Sequence, residues 1–237
     1  MRTDAADDDP TPVRATLGAE LALLRLASPG LPVGAFSYSR GLEPAVAAGW
    51  VHDEASAASF VLGTLEHSVC ALDGALLVRL YHAWSAGDDA EVRRLTEYLR
   101  AFRESSELLL EDEQMGLALG RLLRAQGVAG ADLKASGMPP SYTCMFALAA
   151  VRWGIGLEQA VGGFFWAVCE SQVSAALRLL PLGQTAGQRM LERAIAVIER
   201  CVPRALATPD DQIGNVAPGL ALPSAQHELQ YSRLFRS

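Results

Sequence analysis

The segment 157–180 constrains the fold more than any other part of the sequence, because it is apolar on most sides and runs unbroken to Pro181. A helix that is hydrophobic nearly all round belongs in the interior of a protein. Small residues recur at every fourth position, so that one face is a smooth groove that a neighbouring backbone can approach closely. These residues are Gly163, Ala167, Ser171 and Ala175. We therefore predict that this helix is the centre of a helical bundle.

The rest of the chain shows apolar residues at helical spacing, and no segment alternates with the period of a β-strand. Asp53 is a candidate N-cap for one helix, and Gly87 is a candidate stop for another. The predicted helices are 53–69, 73–86 packed beside it after a short gap, 92 to Gly127 as one long helix or a kinked pair, 143–153, 185–201 with Pro203 just beyond its end, and a short helix near 224–229. We predict an all-α fold, a single-domain helical bundle, with a loop at 127–141 between two halves.

The first residues are acidic, with Asp4 and the run Asp7–Asp9, which is opposite to the positive and then apolar pattern of a secretory signal. We predict that residues 1–14 form a disordered acidic tail and that residues 15–237 form one all-helical domain. The apolar runs around 144–151 and 160–169 are shorter than the roughly 18–20 residues of a membrane span. The four cysteines are widely spaced, without a CxxC motif, which indicates reduced thiols. The sequence predicts a cytoplasmic protein without a membrane segment.

No motif indicates catalysis or metal binding. The formal net charge of −7 disfavours nucleic-acid binding, which depends on Lys and Arg side chains at phosphates. The histidines lack zinc or di-iron spacing, no base pairs with a serine or cysteine, and no GxxxxGK[ST] phosphate loop is present. The acidic run Glu111–Glu113 is more typical of a solvated helix end than of a cation site, and Glu170 needs a partner inside its apolar helix. We expect no cofactor, no metal ligand and no catalytic residue.

Residues 28–43 form a stretch that we call the elbow, which combines backbone-restricting residues with aromatics and an Arg/Glu pair. Prolines fix φ and exclude a helix, while glycines permit turns that other residues resist; they are Pro29, Pro32, Gly30, Gly34 and Gly41. Shaped loops of this kind often present groups to a partner. The elbow is therefore either a partner-binding loop or a rigid connector between two helices.

The C-terminal octapeptide, residues 230–237, interleaves three apolar or aromatic side chains with two arginines. These residues are Tyr231, Leu234, Phe235, Arg233 and Arg236. Aromatic and arginine side chains are enriched at the centres of protein interfaces, whereas chain termini normally fray. We predict that the octapeptide either docks on a partner or packs on the protein's own core.

Several separated motifs, in the same order, closely resemble the UreF family of urease accessory proteins. The motifs are Leu31-Pro-Val-Gly-Ala-Phe-Ser-Tyr-Ser-Arg-Gly-Leu-Glu43, Gly49-Trp-Val51, Ser106-Glu-Leu108, Glu111-Asp-Glu-Gln-Met-Gly116, Phe146-Ala-Leu-Ala-Ala-Val-Arg-Trp-Gly-Ile155, Pro181-Leu-Gly-Gln-Thr185 and His227-Glu-Leu-Gln-Tyr-Ser-Arg-Leu-Phe-Arg-Ser237. The resemblance covers nearly the whole chain after the acidic tail.

The resemblance implies an all-helical, non-enzymatic scaffold that acts in nickel insertion into urease. Such a scaffold would bridge a UreD/UreH-type accessory protein and the nickel-carrying UreG-type GTPase and dock them on the urease apoprotein. By motif position, Tyr38 and Arg233 would contribute to recruitment of the GTPase. The resemblance also implies a homodimer, and a C-terminal tail that becomes ordered when the UreD/UreH-type partner binds.

We predict a partner-binding set made of elbow and octapeptide residues. They are Tyr38, Ser39, Arg40, Glu43, Tyr231, Arg233, Leu234, Phe235 and Arg236. Two alternatives remain open. In the first, the protein regulates GTP hydrolysis by the GTPase through an inserted arginine, with Arg40, Arg233 and Arg236 as candidates. In the second, the protein is an independent bundle enzyme that uses Glu170 and the run Glu111–Glu113.

Overall fold

The computed structural model describes residues 16–214 and 233–236. Regular structure within these residues is helical and includes no strand, which confirms the all-α prediction. The α-helices are α1 (Leu17–Leu26), α2 (Leu42–Ala47), α3 (Glu54–Thr64), α4 (Ala75–Ala86), α5 (Asp89–Ala101), α6 (Ser106–Ala125), α7 (Leu133–Ser136), α8 (Tyr142–Arg152), α9 (Leu157–Leu179) and α10 (Gln184–Ala207). A π-helix covers Leu65–Gly74, and 3-10 turns cover Ala35–Ser37 and Asp210–Gln212. The acidic tail predicted for residues 1–14 and the helix predicted near 224–229 lie outside the described residues.

Side-chain caps begin several of the helices. At α3 the Asp53 carboxylate accepts from the Ser56 N–H at 2.8 Å, and the Ser56 hydroxyl accepts from the Asp53 N–H at 3.1 Å, which closes a capping box. Ser105 and Ser141 cap α6 and α8 through their hydroxyl oxygens. At the other end of α4, Gly87 adopts a left-handed conformation with φ 70. The cap predicted at Asp53 and the stop predicted at Gly87 are confirmed.

The helices predicted at 53–69 and 73–86 are one continuous path, Glu54–Ala86, in which the π-helix joins α3 to α4. The predicted gap was wrong because residues 70–73 contain no helix breaker, and Gly74 keeps a helical φ of −63. This 33-residue path is long and apolar enough to cross a membrane, but 67% of its most apolar window is buried inside the fold. Such burial is typical of the core helix of a soluble protein.

Two further boundaries refine or correct the prediction. Residues 102–105 separate α5 from α6, so the stretch that begins at residue 92 is a pair of helices. The prediction that the last long helix ends before Pro203 was wrong, because α10 continues through this proline. Proline removes one N–H donor from a helix. However, Cys201 and Ala205 on either side of it are 1% and 0% exposed, and their packing carries the helix onward.

Helix α9 lies at the centre of the bundle, as predicted, and packs against α10, α3 and the π-helix. Phe164 and Phe165 are completely buried. The Phe164 ring meets Phe146 of α8 edge-on, with 5.2 Å between ring centroids. This geometry is favourable for aromatic pairs in a core.

The small-residue face of α9 is a surface of close approach, which confirms that prediction too. A Cβ atom added to Gly163 would lie 2.4 Å from Cδ1 of Leu23, so α1 packs directly against this face. Farther along α9, the Ser171 hydroxyl donates to the carbonyl oxygen of Ala35 at 3.3 Å. The central helix therefore positions both α1 and the elbow.

Candidate functional site

The elbow is a tight turn that leads from α1 into α2. Gly34 and Gly41 have φ values of 79 and 77, a left-handed conformation that glycine adopts without a steric cost. Arg40 also has a positive φ, 48, and no other non-glycine among the described residues does. A non-glycine residue in this region persists where its surroundings hold it. The Arg40 side chain is held by a buried ion pair with Glu111.

The structure places the four predicted elbow residues in the interior. The exposed fractions are 5% for Tyr38, 0% for Ser39, 8% for Arg40 and 7% for Glu43. In this conformation they shape the elbow from inside. Its outermost aromatic side chain is Phe36, which is 70% exposed. The sequence analysis did not select Phe36, although an aromatic residue in a loop rich in Gly and Pro is a usable signal for an interface.

The carboxylate of Glu43 binds the backbone of the C-terminal segment, our term for residues 233–236. Its Oε1 accepts from the N–H of Leu234 at 2.6 Å, and its Oε2 accepts from the N–H of Phe235 at 2.9 Å. Hydrogen bonds from N–H groups to an ionised carboxylate are stronger than those between neutral groups. We refer to this pair of bonds as the Glu43 clamp. It joins the two predicted regions, the elbow and the octapeptide, although they lie at opposite ends of the sequence.

Contacts on both sides of the Glu43 clamp complete the docking of the C-terminal segment. The N–H of Arg236 donates to the carbonyl oxygen of Ser37 at 2.8 Å. Phe235 is 4% exposed, and the guanidinium of Arg178 in α9 lies 4.4 Å from the centroid of its ring. Arg178 also donates to the carbonyl oxygen of Phe36 at 2.8 Å. One α9 arginine therefore contacts both the elbow and the C-terminal segment.

The remaining predicted residues of the octapeptide have different surroundings. Arg233 forms an ion pair with Glu107 of α6, with 3.0 Å between Nη1 and Oε1. Leu234 is 54% exposed and Arg236 is also exposed. Tyr231 lies outside the described residues. We call the outward-facing side chains of Phe36, Leu234 and Arg236 the composite surface, because the elbow and the C-terminal segment both contribute to it.

Burial raises the pKa of Tyr38, although a hydrogen bond with the side chain of Arg236 acts in the opposite direction. The phenol is therefore neutral at physiological pH and is available as a hydrogen-bonding group. Arg236 thus contacts the elbow through its side chain as well as through its backbone N–H. The structure brings together Tyr38 and an octapeptide arginine, which are both members of the predicted partner-binding set.

Beneath the elbow lies a network of buried ion pairs. Nε of Arg40 lies 2.7 Å from Oε1 of Glu111. Nη2 of Arg103 lies 2.7 Å from Oδ1 of Asp73 and 3.1 Å from Oδ1 of Asp112. The Arg40–Glu111 pair holds the side chain of Arg40 against α6, which supports its unusual backbone conformation. The network ties the elbow to the π-helix and to α6.

The sequence suggested that the acidic run Glu111–Glu113 is a solvated helix end, and this prediction was wrong. It lies in the middle of α6, and Glu111 and Asp112 are 3% and 1% exposed. Its third member, Glu113, pairs with Arg100 at 2.5 Å. The prediction failed because the three arginines that pair with the acidic run come from the elbow, from α5 and from the loop that follows α5. These partners are distant in sequence, so the local pattern does not indicate them.

The buried network shifts the pKa values of its carboxyl groups in opposite directions. Burial by itself would raise the pKa of Asp73, but the Arg103 guanidinium outweighs burial and holds this pKa below its ordinary range. For Asp112, burial outweighs the attraction of Arg103, so its pKa is raised. Asp112 also accepts from the backbone N–H of Tyr142 at 3.1 Å, which anchors the start of α8.

A cavity of about 70 Å³ lies between the elbow, α6 and α9. Glu170, Glu111 and Arg40 are among its lining residues, so of the carboxylates in the predicted enzyme alternative the cavity brings together Glu170 and Glu111. Glu111 is engaged by Arg40, and Glu170 is half-buried with its pKa raised by burial. Across residues 16–214 and 233–236, no three His, Cys, Asp or Glu side chains form a group that could hold a metal ion.

Comparison with known proteins identifies relatives over most of the chain. A family model described as UreF matches residues 51–195, a range that begins after the elbow and ends before the octapeptide. The urease accessory protein UreF 2 of Brucella anthropi is 54% identical over 217 residues, which is 92% of this chain and 96% of the relative. The urease accessory proteins UreF of Teredinibacter turnerae and Alkalilimnicola ehrlichii are 48% and 44% identical, over 92% of this chain and 98% and 96% of their own lengths. On this evidence, the chain belongs to the UreF family of urease accessory proteins.

Proposed function

We propose that this protein is a non-catalytic, cytoplasmic scaffold for nickel insertion into urease. It bridges a UreD/UreH-type accessory protein and a UreG-type GTPase and docks them on the urease apoprotein. Membership of the UreF family supports a role in urease maturation. The scaffold would raise the effective concentration of its partners for one another, without carrying out bond chemistry itself.

The Glu43 clamp is the observation that carries this proposal. It holds the C-terminal segment on the elbow, where Phe36, Leu234 and Arg236 are exposed, and we infer that these side chains act as one surface. Two apolar side chains beside an arginine have the composition of an interface hot spot. The buried residues of the predicted set, including Tyr38 and Arg40, would support this surface from beneath.

The clamp also suggests how two partners could act on the same scaffold. Its hydrogen bonds are made by one side chain to two backbone N–H groups, so a partner that binds the C-terminal segment changes what the elbow presents. A ligand shifts such an equilibrium only by its differential affinity for the two arrangements. In our proposal, the UreD/UreH-type protein stabilises the docked arrangement, and the GTPase binds the composite surface that results.

The substitution Glu43→Ala tests the proposal, because it removes both acceptors of the clamp. A hydrogen bond to a charged group contributes about 1.5–3 kcal/mol, so we expect capture of the GTPase to fall at least about tenfold. The measurement is a pull-down with the UreD/UreH-type and UreG-type partners, singly and together, and circular dichroism should show unchanged helicity.

Glu54→Ala is the matched control for this experiment. It also removes a glutamate, one that pairs with Arg189 at the surface between α3 and α10, and it should leave capture unchanged. If the Glu43→Ala chain captures the GTPase as well as the wild-type chain does, the clamp does not organise the docking surface. The proposed mode of recruitment would then be wrong.

The GTPase-regulator alternative makes a different prediction about Arg236. Arg40 and Arg233 form ion pairs within the chain, with Glu111 and Glu107, whereas Arg236 is exposed and its side chain hydrogen-bonds the neutral phenol of Tyr38. We expect Arg236→Ala to weaken capture of the GTPase and to leave the turnover of the captured GTPase unchanged. An arginine inserted at the nucleotide would instead be worth about 10³–10⁵ in turnover. GTP hydrolysis measured at saturating scaffold concentration separates the two functions.

The homodimer implied by family resemblance is part of the proposal as well. Light scattering coupled to size-exclusion chromatography gives the mass of the chain directly. A mass near twice the 25.2 kDa of one chain is the expected result. A monomer that remains a monomer at high concentration would remove this element and leave the docking proposal in place.

A further inference from the structure

Two of the cysteines lie together, although they are far apart in the sequence. All four cysteines are free and buried. Cys70 lies in the π-helix and Cys201 in α10, and the Sγ atom of Cys70 is 3.3 Å from the carbonyl oxygen of Cys201. The Cys70 thiol donates to this carbonyl oxygen, and the Cys201 side chain also influences the Cys70 thiol. Neither the proposed scaffold function nor the composite surface uses this pair.

A guanidinium completes the surroundings of the Cys70 sulfur. Nε of Arg204 lies 3.3 Å from Sγ, and the Arg204 side chain also donates to the backbone carbonyl of Glu66. The Arg204 side chain is itself 44% exposed, whereas Cys70 is 0% exposed. The sulfur therefore lies beneath one long surface side chain.

The groups around Cys70 favour its thiolate form. The hydrogen bond from Cys201 and the nearby Arg204 guanidinium lower the pKa of Cys70 to about 7, although burial and the Glu66 carboxylate act in the opposite direction. Burial raises the pKa of the other two cysteines, Cys144 and Cys169, to about 12, although hydrogen bonds with Thr96 and Trp84 act in the opposite direction at Cys144. A thiolate is the reactive form of cysteine. Cys144 and Cys169 are therefore internal comparisons for the reactivity of Cys70.

The backbones that carry the pair approach each other closely. Four residues beyond Cys70, a Cβ atom added to Gly74 would lie 3.1 Å from Cβ of Ala205, which is four residues beyond Cys201. The π-helix and α10 therefore cross with little space between their backbones, and each cysteine lies about one turn from this point. A disulfide needs about 3.5–4.5 Å between Cβ atoms, and the 3.3 Å contact of the Cys70 sulfur with the Cys201 backbone shows that the pair lies within reach of such a bond.

We propose that Cys70 and Cys201 form a thiol pair that a hydroperoxide oxidises to an intramolecular disulfide. The Cys70 thiolate attacks one oxygen of the peroxide, the S–O bond forms, the O–O bond breaks, and the departing hydroxide takes up a proton to become water. The Cys201 sulfur then attacks the resulting sulfenic acid, and the hydroxyl group leaves with the thiol proton as a second water. Two thiols become one disulfide, and hydrogen peroxide becomes two water molecules.

The direct test uses the wild-type chain, reduced without oxygen and then treated with hydrogen peroxide. Non-reducing peptide mass mapping should find the Cys70 and Cys201 peptides linked, with the loss of two hydrogen masses. After denaturation, Cys144 and Cys169 should still react fully with an alkylating reagent. Absence of the 70–201 linkage, or a linkage between copies of the chain in its place, would overturn the proposal.

Alkylation rates test the activation step without oxidation. In the native chain at neutral pH, iodoacetamide should modify Cys70 at least about tenfold faster than Cys144 or Cys169, because the thiolate is the nucleophile. Arg204→Gln should slow this reaction, and Arg204→Lys should restore most of the rate. If Cys70 reacts only after denaturation, as the two control cysteines should, the thiol is a structural one and the proposal is wrong.

Discussion

At the scale of the residue, buried charges hold the elbow in place. Arg40 and Arg103 are almost completely buried, and each is matched by a carboxylate within hydrogen-bonding distance. A buried charge that loses its partner is costly, whereas an exposed pair contributes little. The pairs that matter for the elbow are therefore those at Glu111 and Asp73, and not the surface pair between Glu54 and Arg189.

Asp73→Asn should weaken the dependence of stability on acidic pH. Although burial opposes it, Arg103 holds the pKa of Asp73 below its ordinary value of 3.8. A carboxyl group with a lowered native pKa contributes stability that is present above its unfolded-state pKa and is lost as pH falls through the native pKa. We expect the unfolding free energy of the wild-type chain to decrease as the pH is lowered beneath about 4. The unfolding free energy of the Asp73→Asn chain should already be lower by about 3–5 kcal/mol at pH 7, and it should decrease less in acid.

Urea titrations at a series of pH values measure both effects, and Asp112→Asn is the control. The pKa of Asp112 is raised, mainly by burial, so its native state binds a proton more readily than its unfolded state. The contribution of Asp112 to the stability of the fold therefore increases as pH falls. The Asp112→Asn chain should lose at least as much stability in acid as the wild-type chain does. An Asp73→Asn chain that loses stability in acid as steeply as the wild-type chain would contradict the assignment.

Single residues also show where prediction from sequence stops. The cap at Asp53 and the turn at Gly87 were predictable because their signals lie within a few residues of the structure they specify. The partner of Glu111 is Arg40, on a different element. A pairing across that distance depends on the tertiary fold, so the sequence pattern gave the wrong surroundings for the acidic run.

At the scale of the element, α6 packs very closely against the start of α8. A Cβ atom added to Gly116 would lie 2.5 Å from the backbone carbon of Ser141. One turn before Gly116 on α6, the Asp112 carboxylate accepts from the N–H of Tyr142. The glycine and the carboxylate together fix α8 against α6, and the same stretch of α6 provides the ion pair that holds Arg40.

Gly116→Ala should therefore destabilise the protein by at least about 1–3 kcal/mol, because the new methyl group meets backbone atoms that cannot move aside cheaply. Gly63→Ala is the control, since a Cβ atom added to Gly63 in α3 has no neighbour within 4 Å. Alanine is the better helix former, so this change should stabilise by about 0.5–1 kcal/mol. Chemical denaturation measures both, and equal effects would show that the α6–α8 contact is looser than described.

The helices themselves were largely predictable, whereas the joins between them were not. Periodic apolar residues indicated the central helix and its small-residue face, because both are properties of a single continuous segment. The π-helix was missed because a one-residue expansion of the helical ladder leaves the apolar pattern almost unchanged. The continuation of α10 through Pro203 was missed because packing on both sides outweighs the local preference of proline.

At the scale of the whole molecule, the elbow and the C-terminal segment form one unit. Each was recognisable separately from its unusual residues, but their contact depends on the fold and is not visible in the sequence. The Glu43 clamp, the docked Phe235 and the ion pair between Arg233 and Glu107 together seat the segment. Phe235 packs against the hydrophobic core, but we expect the helical body to keep its fold without the segment.

Deletion of residues 230–237 should therefore preserve the fold and abolish recruitment. Loss of buried Phe235 should lower the unfolding free energy by about 1.5–3 kcal/mol, with unchanged helicity by circular dichroism. Capture of the GTPase in the pull-down should be lost. Leu234→Ala is the control for seating, because it keeps the clamped N–H, and it should weaken capture with little change in stability. A collapse of helicity after the deletion would show that the segment is part of the core.

The Glu43 clamp grips main-chain N–H groups rather than side chains, and this leaves the outward side chain at position 234 unconstrained by seating. Substitutions at position 234 can therefore suit a different partner without weakening the hydrogen bonds that attach the segment. Proline is the exception, because it has no N–H to donate. At this one residue the side chain serves recognition and the backbone N–H serves attachment. The specificity of the surface can therefore change in evolution while the anchoring hydrogen bonds stay the same.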